Sequence, residues 1–123
     1  MKNISIILII SLCCVSCAKD KTYLEEIYND PGYALGTVSS SLSVGLSFST
    51  TYYYTYTVDG VSYDGEKSTF SFGTGSDATG MNFLVVYKLS NPEESDINLS
   101  YKFYSESEFE NAVETFKTNP PKP

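Results

Sequence analysis

Residues 52–65 contain the pattern that most constrains the fold, because a two-residue turn separates two stretches of β-forming residues. Asp59-Gly60 favours a type I′ turn, in which both central residues take positive φ. Such a short loop fixes which residues of the hairpin face each other. The pairs expected on one apolar and aromatic face are Val58 with Val61, Tyr56 with Tyr63, and Tyr54 with Gly65. The alternate positions are polar, which is typical of a sheet with one buried side.

Further strands are predicted on both sides of this hairpin. Residues 33–48 are strand-like but change phase at Ser39-Ser40-Ser41, where we expect a bulge or a turn. Residues 81–89 are apolar on both alternating faces, which favours a central strand buried on both sides. We expect the second hairpin strand to end near Gly65, with another short strand over 69–72.

The last third of the sequence predicts a turn, a strand and a helix. Asn91-Pro92-Glu93-Glu94 is typical of a turn, and residues 97–104 predict a strand with Leu99, Tyr101 and Phe103 on one face. Capping-box spacing at Ser107 predicts a helix there, and the same spacing at Thr22 predicts a short helix before the strands. The predicted fold is mainly β: a small antiparallel β-barrel or sandwich of about five to six strands, with a short N-terminal helix and a C-terminal helix.

The first residues have the features of a secretory signal. Lys2 precedes twelve largely apolar residues, 4–15, which are too few to span a bilayer but suit a signal peptide. This run ends in Val15-Ser16-Cys17-Ala18, which resembles the bacterial lipobox. The resemblance implies that Cys17 is lipidated and becomes the new N-terminus. An ordinary secretory leader with an incidental cysteine is the alternative.

Four segments follow from these features. Residues 1–16 are expected to be a lipoprotein signal peptide, and 17–32 a lipidated tether with a short helix. Residues 33–118 would form the β-domain with its C-terminal helix, and 119–123, rich in proline, a disordered tail. The expected location is the bacterial cell envelope, with a lipid anchor in the outer membrane rather than the inner one, because residue 18 is Ala and not Asp.

The β-domain contains a second resemblance. The pattern consists of Gly36-Thr37-Val38, the hairpin over 54–65, Phe83-Leu84-Val85-Val86-Tyr87 and Asn91-Pro92. It is similar to a loose group of small uncharacterised bacterial β-domains that occur in secreted or membrane-attached proteins. The resemblance covers residues 33–97 and implies the fold. It carries no known activity and no site residues.

Charge and residue types restrict the chemistry. The chain has a net charge of −7, with no His and no Arg, which argues against nucleic acid as a partner. General acid–base and nucleophilic catalysis usually need a histidine or an activated nucleophile, so we expect no enzyme activity and no cofactor. Four acidic residues near turns, Asp59, Asp64, Glu66 and Asp77, could gather around Ca²⁺, but their spacing favours solvated turn residues and no metal.

The tyrosines offer the best candidate binding residue. If Tyr54 and Tyr56 belong to the core, Tyr53 is displayed on the opposite face of the strand. Exposed aromatic side chains can anchor a protein or stack on a sugar ring. We therefore expect a non-catalytic envelope protein that binds a protein partner or has a structural role. The alternatives are a glycan-binding lipoprotein that uses tyrosines and, third, an enzyme.

Overall fold

The computed structural model describes residues 19–44, 49–70 and 78–123 of the chain. Within these residues, one antiparallel sheet of five strands lies between a first and a last helix. The elements are α1 (Lys19–Asn29), β1 (Pro31–Val44), β2 (Ser49–Val58), β3 (Val61–Phe70), β4 (Asn82–Lys88), β5 (Asn91–Phe103) and α2 (Glu106–Phe116). The strand order is β3-β2-β1-β4-β5. This confirms the predicted mainly β fold with a helix at each end, and the sheet is not closed into a barrel.

The hairpin has the predicted turn and register. Asp59 and Gly60 both have positive φ, 50° and 80°. The three expected pairs, Val58 with Val61, Tyr56 with Tyr63 and Tyr54 with Gly65, are all formed between β2 and β3. Val61, at the tip of the hairpin, extends beyond the core and is 52% exposed.

The second hairpin strand is longer than expected. β3 continues without interruption to Phe70, so the prediction of an end near Gly65 was wrong. The glycine has a packing role instead, because a Cβ built on Gly65 would lie 2.3 Å from Cζ of Tyr54. The Tyr54 ring crosses the hairpin at this point, and β3 has no side chain there to obstruct it.

The predicted irregularity in the first strand is a β-bulge at Ser39. Val38 pairs with Tyr54 and Ser40 pairs with Tyr53, so Ser39 has no partner of its own in the ladder. β1 is therefore one strand with a change of phase, as the serine run predicted. The hydroxyl of Ser39 donates to the carbonyl oxygen of Tyr53 at 3.1 Å.

Two hydrophobic cores lie on opposite faces of the sheet. The inner core, on the concave face, contains Ala34, Val38, Tyr54, Tyr56, Val58, Ala78, Phe83, Val85 and Ile97. The outer core, beneath the helices, contains Ile27, Leu84, Val86, Phe103 and Phe116. β4 supplies residues to both cores in strict alternation, which confirms a central strand buried on both sides.

β5 differs from its prediction in two respects. The turn before it lies at Leu89-Ser90, and the strand already begins at Asn91. Pro92 is tolerated because β5 is an edge strand of the sheet. The register with β4 then shifts within residues 99–101, so that Leu99 packs on the inner core whereas Tyr101 and Phe103 belong to the outer core. The predicted single face for these three residues was therefore wrong.

Both helices begin earlier than their predicted caps. α1 starts at Lys19, three residues before Thr22. The cap of α2 is Ser105, whose hydroxyl accepts from the backbone N–H of Glu108 at 3.3 Å, and not Ser107. The Glu108 carboxylate in turn accepts from the backbone N–H of Tyr104 at 2.8 Å. Capping-box spacing occurs here both at Ser105 with Glu108 and at Ser107 with Glu110, and the helix begins at the first of the two.

The segments expected to be a tether and a disordered tail both contact the sheet. Ile27 of α1 is fully buried in the outer core. In the tail, Pro121 is buried, and the carbonyl oxygen of Lys122 accepts a hydrogen bond from Asn98 at 2.9 Å. α1 is therefore a packed part of the domain, and the tail is attached to it through Pro121 and the Lys122 carbonyl group.

The close approach at Gly65 predicts a large effect of one added methyl group. Gly65→Ala should lower the free energy of unfolding by about 1–3 kcal/mol, because the buried Tyr54 ring would have to move. Ser62→Ala, on the exposed face of the same strand, should change it by less than about 0.5 kcal/mol. Urea denaturation followed by circular dichroism measures both values. Equal effects of the two substitutions would contradict the described packing.

Candidate functional site

Tyrosine hydroxyls from two elements converge on one stretch of β5. We call this cluster the tyrosine seam: Tyr23, Tyr28, Tyr54 and Tyr56 against residues 92–96. The hydroxyl of Tyr54 lies 2.9 Å from Oγ of Ser95, and that of Tyr56 donates to the carbonyl oxygen of Pro92 at 2.5 Å. The Tyr28 hydroxyl donates to Oδ2 of Asp96 at 2.6 Å, and the Tyr23 side chain lies near the backbone of Ser95.

The tyrosine seam explains how the sheet curls. β2 and β5 lie three places apart in the strand order, yet side chains of β2 reach the backbone and side chains of β5. Lys67 of β3 also contacts β5, because its ammonium group donates to the carbonyl oxygen of Ile97 at 3.0 Å. These contacts bring the two edges of the sheet together over the inner core.

The buried carboxylate of Asp96 is fully engaged in this arrangement. Its side chain is 6% exposed, and its Oδ1 lies 2.9 Å from the Lys67 ammonium group. Oδ2 accepts from Tyr28, so both oxygens have partners. Throughout the described ranges 19–44, 49–70 and 78–123, every buried side-chain nitrogen or oxygen has a hydrogen-bond partner. The polar interior of the described residues therefore holds strands and α1 together.

Burial controls the ionisation of these tyrosines. Desolvation raises the pKa of Tyr28 strongly, and its hydrogen bond to the Asp96 carboxylate raises this pKa further. Desolvation likewise raises the pKa of Tyr54 well above its ordinary value, although its hydrogen bond to Ser95 acts in the opposite direction. Both hydroxyls therefore stay protonated at neutral pH and serve as fixed hydrogen-bonding groups.

A groove on the outer face of the sheet is a concave surface with exposed functional groups. We call it the α2 groove, because α2 forms one wall and the outer face of β1 and β2 forms the other. Its first part has a volume of about 340 Å³, with a lining that includes Tyr33, Leu35, Thr55, Thr57, Glu106 and Phe109. Its second part, of about 480 Å³, is lined by Tyr33, Phe109, Glu110, Asn111, Val113 and Glu114. Tyr33 and Phe109 border both parts, which makes them neighbouring sections of one groove.

Ring packing fixes the two aromatic side chains of the groove. Tyr33 lies against Phe116, with ring centroids 5.1 Å apart. Phe109 makes an edge-on contact with Phe103 at a centroid distance of 5.6 Å. Each ring therefore has one side in the outer core and remains partly exposed towards the groove. Rings held in this way lose little conformational entropy when they bind a ligand.

The predicted binding residue Tyr53 lies beside this groove. It is on the face of β2 opposite Tyr54 and Tyr56, as expected, and its side chain is 37% exposed. Thr55, two residues further along the same strand face, lines the groove. Tyr53 itself is absent from the lining, so the structure brings it next to the groove without making it a wall.

The α2 groove could not be predicted from the sequence, because the residues of its two walls are far apart in the chain. Tyr33 and Phe109 come from the first strand and the last helix. The apolar stripe of α2, with Phe109, Val113 and Phe116, indicates that the helix packs on the sheet. It does not indicate which strands α2 covers, and that choice determines where the groove lies.

The remaining predicted sites divide between described and undescribed residues. Cys17 and Asp77 lie outside the described residues. Within those that are described, no group of three or more His, Cys, Asp or Glu residues could hold a metal ion. A search of the same residues finds no helix with the length and hydrophobicity needed to cross a membrane.

Comparison with known proteins identifies no relative. No family model, no curated protein and no solved structure matches this chain. The chemistry and geometry of the α2 groove, of Tyr53 and of the sequence before α1 are therefore the basis for a functional proposal.

The raised pKa values in the tyrosine seam predict a loss of stability in alkali. Below pH about 10, Tyr28 is protonated in both the folded and the unfolded chain, so its contribution is complete. Above that pH the unfolded chain ionises while the folded pKa is still higher, and the free energy of unfolding should fall by about 1.4 kcal/mol per pH unit for each such tyrosine.

Substitution of one tyrosine at a time tests this assignment. Tyr28→Phe should reduce the slope of stability against pH relative to the wild-type chain. Urea denaturation at a series of pH values between about 8 and 11.5 measures these slopes. Identical slopes for the wild-type chain and Tyr28→Phe would show that Tyr28 does not cause the effect.

Proposed function

We propose that this chain is a lipid-anchored protein of the bacterial cell envelope, held in the outer membrane through Cys17, whose β-domain is a non-catalytic module that binds a protein partner. The observation that carries the proposal is the apolar run over 4–15 followed by Val15-Ser16-Cys17. Cys17 would be lipidated, and more than one acyl chain makes such an anchor stable.

The position of the folded domain is compatible with this anchor. α1 begins at Lys19, two residues after Cys17 in the sequence, and is packed on the sheet through Ile27. A lipid on Cys17 would therefore hold the domain close to the membrane surface, without a long flexible linker. Partners in the same membrane or in the adjacent cell wall would be within reach.

The surface of the domain supports a binding role. The buried carboxylate Asp96 is occupied by Lys67 and Tyr28, so its role here is to hold the sheet together. The α2 groove and Tyr53, by contrast, present aromatic, hydroxyl and carboxylate groups on one exposed face. Aromatic anchors beside polar groups are typical of protein recognition surfaces.

Labelling with radioactive palmitate tests the anchor. Cys17→Ser should abolish incorporation of the label and move the protein from the detergent phase to the aqueous phase. Cys14→Ser is the matched control, because it removes a neighbouring cysteine of the same leader and should still be labelled. Continued labelling of Cys17→Ser, or loss of label only in Cys14→Ser, would overturn the proposal that Cys17 is the lipidated residue.

Glycan binding through Tyr53 is the second candidate function. The specific observation in its favour is that Tyr53 is 37% exposed and shares its strand face with the hydroxyl groups of Thr55 and Thr57. A tyrosine ring can stack on the apolar face of a sugar, and hydroxyl groups can hydrogen-bond its substituents. The same face of β2 could therefore bind a chain of the cell wall.

Retention on isolated peptidoglycan distinguishes this candidate from protein binding. If Tyr53 is the stacking residue, Tyr53→Ala should weaken retention about tenfold, which corresponds to about 1.4 kcal/mol. Tyr104→Ala removes another exposed tyrosine, one that does not belong to β2, and should have little effect. Equal retention of the wild-type chain and Tyr53→Ala would exclude stacking on Tyr53.

A further inference from the structure

We propose that the α2 groove binds a basic, extended segment of a protein partner in which lysine or arginine alternates with apolar residues. This inference rests on the proposed protein-binding function and assigns that function to one surface. Three features of the groove lead to it: apolar side chains in both walls, a row of carboxylates along the α2 wall, and the spacing of that row.

Apolar side chains in both walls of the groove can cover apolar groups of a ligand. Tyr33 and Phe109 border both parts of the groove, and Leu35 and Val113 extend its apolar surface at either end. All four side chains are partly buried, so each still has surface that a ligand could cover. The volumes of about 340 and 480 Å³ lie in the range of pockets that bind organic ligands.

The wall formed by α2 is acidic. Glu106, Glu110 and Glu114 are exposed, and each belongs to the lining of one part of the groove. Glu114 also pairs with Lys117 at 2.9 Å, whereas Glu106 and Glu110 have no ion pair with any described residue. Among the described residues, no lysine lines either part of the groove. The charge of this surface therefore favours a cationic ligand and disfavours anionic lipid or nucleic acid.

The spacing of the carboxylates favours an extended ligand parallel to α2. Glu106, Glu110 and Glu114 are four residues apart, which is about 6 Å along a helix axis. Alternate residues of an extended peptide are about 6.6 Å apart and point to the same side. A segment between α2 and the sheet could thus direct basic residues to Glu106 and Glu110, and the intervening apolar residues to Tyr33 and Leu35.

A direct binding measurement tests this inference with the full chain in a neutral detergent. The probe is a fluorescein-labelled peptide of eight residues in which lysine and leucine alternate, and fluorescence anisotropy gives its Kd. Glu106→Gln with Glu110→Gln should raise the Kd about tenfold. The matched control, Glu25→Gln with Glu66→Gln, removes two exposed carboxylates that do not line the groove, and should raise it less than about twofold.

The outcomes distinguish binding in the α2 groove from nonspecific attraction of a basic peptide to an acidic protein. Equal weakening by the two double variants would overturn the proposal, because the peptide would then respond only to net charge. Absence of binding to the wild-type chain would overturn it as well, and so would an alternating glutamate and leucine peptide that binds equally well. The lipid on Cys17 is not needed for this measurement, so failure here leaves the palmitate result intact, and the reverse also holds.

Discussion

The tyrosine seam, in which tyrosines of α1 and β2 contact β5, is the interaction on which the rest of the domain depends. A five-stranded open sheet buries its concave face only if its edges approach each other, and here side chains of β2 and β3 reach across to β5. The same stretch of β5 also receives Tyr28 from α1. One strand therefore sets both the curl of the sheet and the position of the first helix, which leaves the outer face of β1 and β2 open beside α2.

That open face is where both functional proposals meet. The α2 groove and Tyr53 lie on the same side of the sheet, separated by two positions along β2. The groove offers carboxylates and fixed aromatic rings, whereas Tyr53 offers a single exposed ring. In the two proposals a protein segment would use the first set and a sugar would use the second, so the proposed functions differ in which side chains they require.

The sequence predicts those parts of the fold that depend on residues close together in the chain. Asp59-Gly60 predicts the hairpin register because only a few turns join strands so closely, and the two-sided apolar pattern of β4 predicts its central place. Gly65 is misread as a strand end because the need for a glycine there comes from the Tyr54 ring of the neighbouring strand, which the local sequence does not reveal. The tyrosine seam and the α2 groove are unpredictable for the same reason: each joins residues distant in sequence, whose meeting depends on the curl of the sheet.

Asn98 has a consequence for how the domain would respond to mechanical load. Its side-chain amide donates both to the Tyr28 hydroxyl at 3.2 Å and to the Lys122 carbonyl oxygen at 2.9 Å, so α1 and the last residues meet at one amide. Tension applied between residue 19 and residue 123 would act on this junction before it reached any strand pair. Because Tyr28 also bonds Asp96, which pairs with Lys67 of β3, part of the load would pass from this junction directly to the hairpin.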